Sequence, residues 1–146
     1  VKVARILCLD VGDKRIGVAL SDPLGILASP LTIIERRNHD ADIAGITGLV
    51  TAYQAARVVV GLPLSLSGKI SQQTGKVQAF AAELAAAMAV PLTFHNESLS
   101  TITAQELLKQ RGRKHGNRIE HDDAAAACVI LQSYLDENPV AQHLSD

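Results

Sequence analysis

Residues 56–64, ARVVVGLPL, hold three consecutive valines in a continuous apolar run. β-Branched side chains are stiff at χ1 and pack well on a pleated surface, so the run predicts a strand. It lacks the alternation of a half-wet strand, which predicts cover on both faces. Any fold for this chain must therefore place other elements above and below that strand.

The N-terminal third supplies more strands. ARILCLDVG (4–12) is a short apolar segment ending in an acid and a glycine. RIGVALSD (15–22) follows three residues later and ends at Asp22-Pro23. ILASPLTII (26–34) reads as a third strand, with Pro30 marking a bend or an exposed edge. Short connections make these three an antiparallel meander. The periodicity then becomes helical. Ile43, Ile46, Val50 and Tyr53 fall near helical spacing, although Gly45 and Gly48 weaken that helix. Val77, Phe80, Ala81, Leu84 and Met88 form one helical stripe. VPLTFHNE (90–97) reads as a fifth strand. Ala104, Leu107 and Leu108 mark a further helix, with Thr103 and Glu106 at capping-box spacing. Ala124, Ala127, Cys128, Leu131 and Leu135 stripe the last one. The order β-β-β-α-β-α-β-α-α describes an α/β fold: a five-stranded mixed sheet with helices on both faces.

A chain of 146 residues with 47% hydrophobic and 20% charged residues suits one domain with a real core. We assign that domain to residues 1–138 and read 139–146 as a frayed tail. The net charge of −1 means that nucleic-acid binding would need a local basic patch. Cys8 and Cys128 lie in apolar segments, away from any zinc-type cluster, and read as buried thiols in a reducing compartment. The N-terminus does not read as a signal peptide, and no apolar run approaches the ~20 residues that span a bilayer. The expected location is the cytoplasm, with no membrane association.

Acids on three elements stand where chemistry could be done. Asp10 ends the first strand, Glu97 ends the fifth, and Asp122 and Asp123 precede the last helix. Residues at neighbouring strand ends can converge on one crevice. Clustered carboxylates repel, so they make sense mainly around a cation, and hard oxygen donors suit Mg²⁺ or Mn²⁺. Two such ions ~4 Å apart could clamp the oxygens of a phosphodiester displacement, bridged by Asp10 and held by Glu97 and Asp123. Each acid also has a plainer reading. Asp10 could serve a turn, Asp122 or Asp123 could cap the last helix, and Glu97 could be a loop residue. His95, His115 and His121 are not at ligand spacing and read as loop or surface histidines. KQRGRKHGNR (109–118) holds five Lys/Arg and no acid, either a solvated loop or a phosphate-binding one.

In sum, LDVGDKRIGVALSD, VVVGLPLSLSG, KVQAFAAEL, NESLSTITAQELL and DDAAAACVILQSYL resemble, in order and spacing, the YqgF-type family. Holliday-junction resolution and pre-16S ribosomal RNA cleavage are attributed to that family. The resemblance covers roughly residues 3 to 137. It implies a ribonuclease H-like fold similar to the RuvC-type resolvases, and divalent-metal-dependent hydrolysis of nucleic acid. The first acid of the family's D-x-G motif falls on Asp10. The glutamate of its D-E-R-L motif falls on Glu97, and the acid before its A-A-x-x-I-L-Q helix falls on Asp123. Asp122 then takes a place that is usually apolar in the family. Its K-R-I-G residues are Lys14, Arg15, Ile16 and Gly17. The chain departs at Asn96 and Ser98, where the family has Asp and Arg. Serine cannot pair bidentately with phosphate, and Asn96 brings no charge to a metal.

Four aromatics in the whole chain leave little for a base-stacking platform. Substrate contact is expected through the backbone, by Lys14, Arg15, Asn96, Arg111, Arg113, Lys114 and Arg118. The expected function is cleavage of structured nucleic acid, pre-ribosomal RNA or branched DNA. The alternative is binding without efficient cleavage, which Asn96 and Ser98 motivate. A strand-acid-glycine turn also occurs in actin-like ATPases and sugar kinases, but those resemble two such domains around a cleft. An exposed helix leaves room for a homodimer.

Overall fold

A computed structural model describes residues 5–63, 72–96 and 119–138, with side chains from residue 124 onward in the last stretch. The elements are β1 (Arg5–Val11), β2 (Arg15–Ser21), β3 (Ala28–Glu35), α1 (His39–Ala52), β4 (Ala55–Leu62), α2 (Gln72–Ala87), β5 (Leu92–Asn96) and α3 (Ile119–Glu137). The helix expected around 103–108 lies outside the described residues. The strands form one five-stranded sheet in the order β3-β2-β1-β4-β5. β1, β2 and β3 are antiparallel neighbours, and β4 pairs parallel with both β1 and β5. The mixed sheet is the one expected from sequence.

The two faces separate cleanly by residue parity. Leu7 and Leu9 of β1 and Val58 and Val60 of β4 pack with Ile46 of α1 and with Val77, Phe80 and Leu84 of α2. Ile6 and Cys8 of β1, Ala19 of β2 and Val59 of β4 pack with Ala127, Ile130, Leu131, Tyr134 and Leu135 of α3. Val58, Val59 and Val60 are all fully buried, so β4 is covered on both sides. Each such side chain contributes about 1.5–3 kcal/mol relative to staying exposed. Helices therefore lie on both faces of the sheet, α1 and α2 on one and α3 on the other.

Local chemistry explains the element ends. Asn38 caps α1 by accepting from the Ala41 amide at 2.8 Å. The helix forms despite Gly45 and Gly48, because Ile46 is fully buried against the sheet. Just past its C-terminus, Gln54 has φ of 54°, a left-handed conformation that glycine usually supplies. Pro30 lies on the edge strand β3 opposite Ala19, where the register shifts, so its missing N–H disrupts no inner ladder. The β2–β3 turn is organised by Asp22, whose Oδ1 accepts from the Ile26 amide at 2.7 Å and the Leu27 amide at 3.0 Å. Burial pushes the Asp22 carboxyl up, but the amides of Leu27, Ile26 and Gly25 outweigh it and hold its pKa below the usual carboxylate value.

Two expectations are corrected here. Asp122 and Asp123 do not precede the last helix and do not cap it. α3 already runs from Ile119, so both lie within it. No Gly or Pro stands between Ile119 and Asp123, and nothing in that stretch stops the helix from extending upstream of the apolar stripe. Cys8 is buried as expected, but Cys128 is only half-buried. Its Sγ faces the margin of the sheet and donates to the Ala28 carbonyl at 3.3 Å. Among the described residues, no helix is long and apolar enough to cross a membrane.

Gln54→Gly relieves the left-handed residue at some entropic cost in the unfolded chain. The expected net gain is about 0.5 kcal/mol, read as a higher urea midpoint. A second outcome follows from Asp22. Its folded pKa lies below the unfolded one, so its contribution is complete above pH about 4 and is lost as pH falls through the folded value. Asp22→Asn should flatten the acid-unfolding curve in that window; an unchanged curve would show that the turn amides do not hold the charge.

Candidate active site at the strand ends

β1, β4 and β5 are parallel, so their C-terminal ends share one edge of the sheet, where β2 begins. Asp10 is the penultimate residue of β1. It is aligned with Gly17 on β2. On its other side Leu9 aligns with Val60, so Gly61 comes next beside Asp10. Gly61 aligns in turn with His95, and Leu62 with Asn96. Strand alternation puts Asp10 on the face of Ile6 and Cys8, the face covered by α3. The carboxylate thus stands half-buried between two glycine positions. Gly17 and Gly61 are both buried, and neither puts a Cβ beside the acid.

The turn that follows Asp10 is held from several directions. Gly12 donates its amide to the Arg15 carbonyl at 2.9 Å, closing the β1–β2 hairpin. A Cβ on Gly12 would lie 2.9 Å from that same oxygen, so the turn requires glycine. Arg36, just after β3, donates its backbone amide to the Lys14 carbonyl at 2.9 Å. Its Nη1 donates to the Gly12 carbonyl at 2.8 Å. Its Nε pairs with Asp42 Oδ2 at 3.1 Å, and its guanidinium sits 4.8 Å from the centre of the Phe80 ring. Asp42 is only 2% exposed, and its other oxygen accepts from the Arg37 amide at 3.0 Å. From α2, Gln73 reaches the Val11 carbonyl at 3.4 Å and Lys76 lies 3.8 Å from Asp13. Sequence reasoning missed Arg36, Asp42 and Gln73. The only available signal was a charged pair flanking the Asn38 cap, which also reads as ordinary helix-start chemistry.

The residues singled out from sequence divide into three groups. Asp10 lies at the shared strand edge, and Lys14 is exposed at the hairpin tip. Arg15 is half-buried with its Nε 3.3 Å from Glu35 Oε1, and Asn96 is exposed at the end of β5. Asp123 lies in the first turns of α3, and its side chain is outside the described residues, as are Glu97, Arg111, Arg113, Lys114 and Arg118. Among the described residues no three His, Cys, Asp or Glu form a metal-binding group. What is described is one carboxylate oxygen donor on a strand end, the type of donor that suits a hard cation.

His95 corrects a further expectation. It is not a loop or surface histidine but a β5 residue with a 12% exposed side chain. Its Nε2 is 3.1 Å from Ser133 Oγ and 3.3 Å from Glu137 Oε2, and its ring meets Tyr134 edge-on. The last turns of α3 cover β5, which could not be read from the local TFHN pattern. His115 and the side chain of His121 lie outside the described residues.

The model of the family described as RuvX, Holliday junction resolvase, matches residues 4–137. The chain belongs to that family. A Dehalococcoides mccartyi protein named "Putative pre-16S rRNA nuclease" is 47% identical over 130 residues, covering 88% of this chain and 96% of the relative. One of the same name from Moorella thermoacetica is 46% identical over 132 residues, covering 90% and 94%. Among solved structures, T. thermophilus RuvC in complex with Holliday junction substrate aligns with a TM-score of 0.61 at 12% identity, over 91% of this chain and 94% of that one. The fowlpox virus resolvase with its Holliday junction DNA aligns with a TM-score of 0.52 at 14% identity, over 91% and 97%. These likenesses show the fold, which is ribonuclease H-like.

In this RuvX-family chain, Gly12→Ala should lower unfolding free energy by about 1–3 kcal/mol, because the new methyl meets backbone rather than a movable side chain. Urea denaturation checks it; an unchanged midpoint would mean that the hairpin has room to spare.

Proposed function

We propose that the chain is a nuclease that hydrolyses phosphodiesters of structured nucleic acid with Mg²⁺ or Mn²⁺. Its first substrate in this reading is the 5′ region of pre-16S ribosomal RNA, with branched DNA as the other candidate. The single observation that carries the reading is Asp10, fixed on a central strand between Gly17 and Gly61 at the edge where β5 also ends. The RuvX family description and the names of the curated relatives supply the class of reaction and the two substrates.

Asp10, Glu97 and Asp123 would hold the metal. Glu97 directly follows Asn96, the last residue of β5, on the edge that Asp10 shares. The case for Asp123 rests on the motif: it is the acid directly before the AAAACVILQ stretch of α3, the place of the family's third acid. Divalent ions would supply Lewis acidity and charge neutralisation at the scissile phosphate. The protein's own part is positional. β1 holds Asp10 in one rotamer field, the glycines keep Cβ atoms out of the space a phosphate would enter, and Lys14 at the hairpin tip contacts the strand backbone. Arg111, Arg113, Lys114 and Arg118 would extend those phosphate contacts, giving affinity that falls as salt rises.

A second reading is retained because of one specific observation. Asn96 and Ser98 stand where the family motif has Asp and Arg. With less charge for metal and no fork for phosphate, the chain would bind a ribosomal precursor or a junction and cut it poorly.

One assay separates the readings. A four-way DNA junction and a pre-16S 5′ segment are incubated with protein and Mn²⁺, with and without chelator. Asp10→Asn and Glu97→Gln should each reduce cleavage by about 100- to 1000-fold, the loss expected when several kcal/mol of charge stabilisation disappear. Tight binding of either substrate with no metal-dependent cut would favour the second reading. Cleavage by Asp10→Asn at the wild-type rate would refute the proposed site.

A further inference from the structure

We propose that Arg36 is a positioning residue for the metal site, acting through the backbone of the turn that follows Asp10. The inference rests on the reading of Asp10 as a metal ligand. The observation behind it is a set of four contacts made by one side chain and its own amide. The guanidinium donates to the Gly12 carbonyl at 2.8 Å and pairs with Asp42 at 3.1 Å. It lies over the Phe80 ring, and the Arg36 amide donates to the Lys14 carbonyl. Arg36 is 16% exposed and Asp42 2%, so the pair is largely removed from water. A surface ion pair contributes little, but a desolvated one constrains strongly, because a lost partner leaves a buried charge.

The direction of that constraint matters. Gly12 is two residues after Asp10, and Lys14 is four after it. The Gly12 carbonyl accepts from the Arg36 guanidinium and the Lys14 carbonyl from the Arg36 backbone amide, and the side chain is anchored on α1 through Asp42 and on α2 through Phe80. The hairpin therefore cannot tilt relative to the two helices without breaking the guanidinium's bonds. Glycine at position 12 gives the turn its shape but no stiffness of its own. Arg36 supplies the stiffness from the face opposite α3, so it holds the peptide plane after Asp10 without touching the ligands. Groups that orient a metal ligand in this way typically alter affinity by about 10- to 100-fold when removed. Lysine cannot replace it, because an ammonium lacks the planar fork that reaches Asp42 and Gly12 together.

The test measures Mn²⁺ binding by titration calorimetry on the whole chain without substrate, beside thermal unfolding and the Mn²⁺ dependence of cleavage. Two variants are used. Arg36→Lys keeps a charge for Asp42. The double variant Arg36→Gln with Asp42→Asn removes both charges and leaves no buried ion unpaired. Both are expected to weaken Mn²⁺ binding about 10-fold or more, and to raise the Mn²⁺ needed for half-maximal cleavage in parallel. The loss should persist at temperatures well below unfolding. Unchanged Mn²⁺ affinity in either folded variant overturns the inference, and so does a loss that disappears on cooling, which would mark a merely structural role. Asp10→Asn is the control for the underlying site: if it binds Mn²⁺ like wild type, the metal-site reading itself fails, whatever Arg36 does.

Discussion

Three consecutive buried valines leave β4 without a wet face, and the architecture follows from that. Val58 and Val60 need α1 and α2, while Val59 needs α3, an element that begins more than fifty residues later. Burial on both sides also suits parallel pairing, which β4 makes with β1 and with β5. Parallel neighbours end at the same edge. The hydrophobic demand of one strand thus determines where the polar ends of two others meet. Like charges repel, so acids brought to such an edge would owe their nearness to the sheet and not to one another.

The same logic explains why the support for Asp10 is ionic rather than apolar. The turn after β1 must expose carbonyls, and buried carbonyls need donors. Gly12 and Lys14 have theirs met by a single residue, Arg36. An apolar replacement could fill the space against Phe80 and would keep the Arg36 amide for Lys14, but it would leave the Gly12 carbonyl without its donor. Asp42 then balances the guanidinium and ties it to the start of α1, whose Asn38 cap lies four residues earlier. Stability and the proposed site geometry are served by the same contacts, which is why the readout that separates them has to be metal affinity.

Much of the fold was legible because it depends on local pattern. The five strands, the three-strand meander and the helical stripes of α2 and α3 came from local pattern, and the structure has them, with the strands shorter than the apolar segments that signalled them. Asp10 was legible because the strand, acid and glycine are contiguous. Arg36 and Asp42 were not. Their role requires Gly12, Arg36, Asp42 and Phe80 to be neighbours, and those residues come from four separate segments. His95 was missed for a related reason: nothing local to TFHN indicates that the end of α3 folds over it. The start of α3 was misplaced because an apolar stripe reports the buried face of a helix, while the residues from Ile119 to Asp123 carry no such stripe in the sequence.

The departures at Asn96 and Ser98 now have a physical setting. Asn96 is aligned with Leu62 at the far end of β5, one strand beyond β4 and two beyond Asp10. Asp10 sits on a central strand braced by Arg36, whereas Asn96 is exposed on an edge strand. On the proposed reading, loss of a charge at that edge would weaken long-range attraction for a cation without disturbing Asp10. Serine at position 98 in place of an arginine would also remove a bidentate phosphate contact. Both changes act on substrate and ion capture more than on the geometry of Asp10. The proposed site, altered in this way, would depend more heavily on the preorganisation of Asp10, and on the basic residues from Lys109 to Arg118 for holding nucleic acid, than one that keeps the full motif.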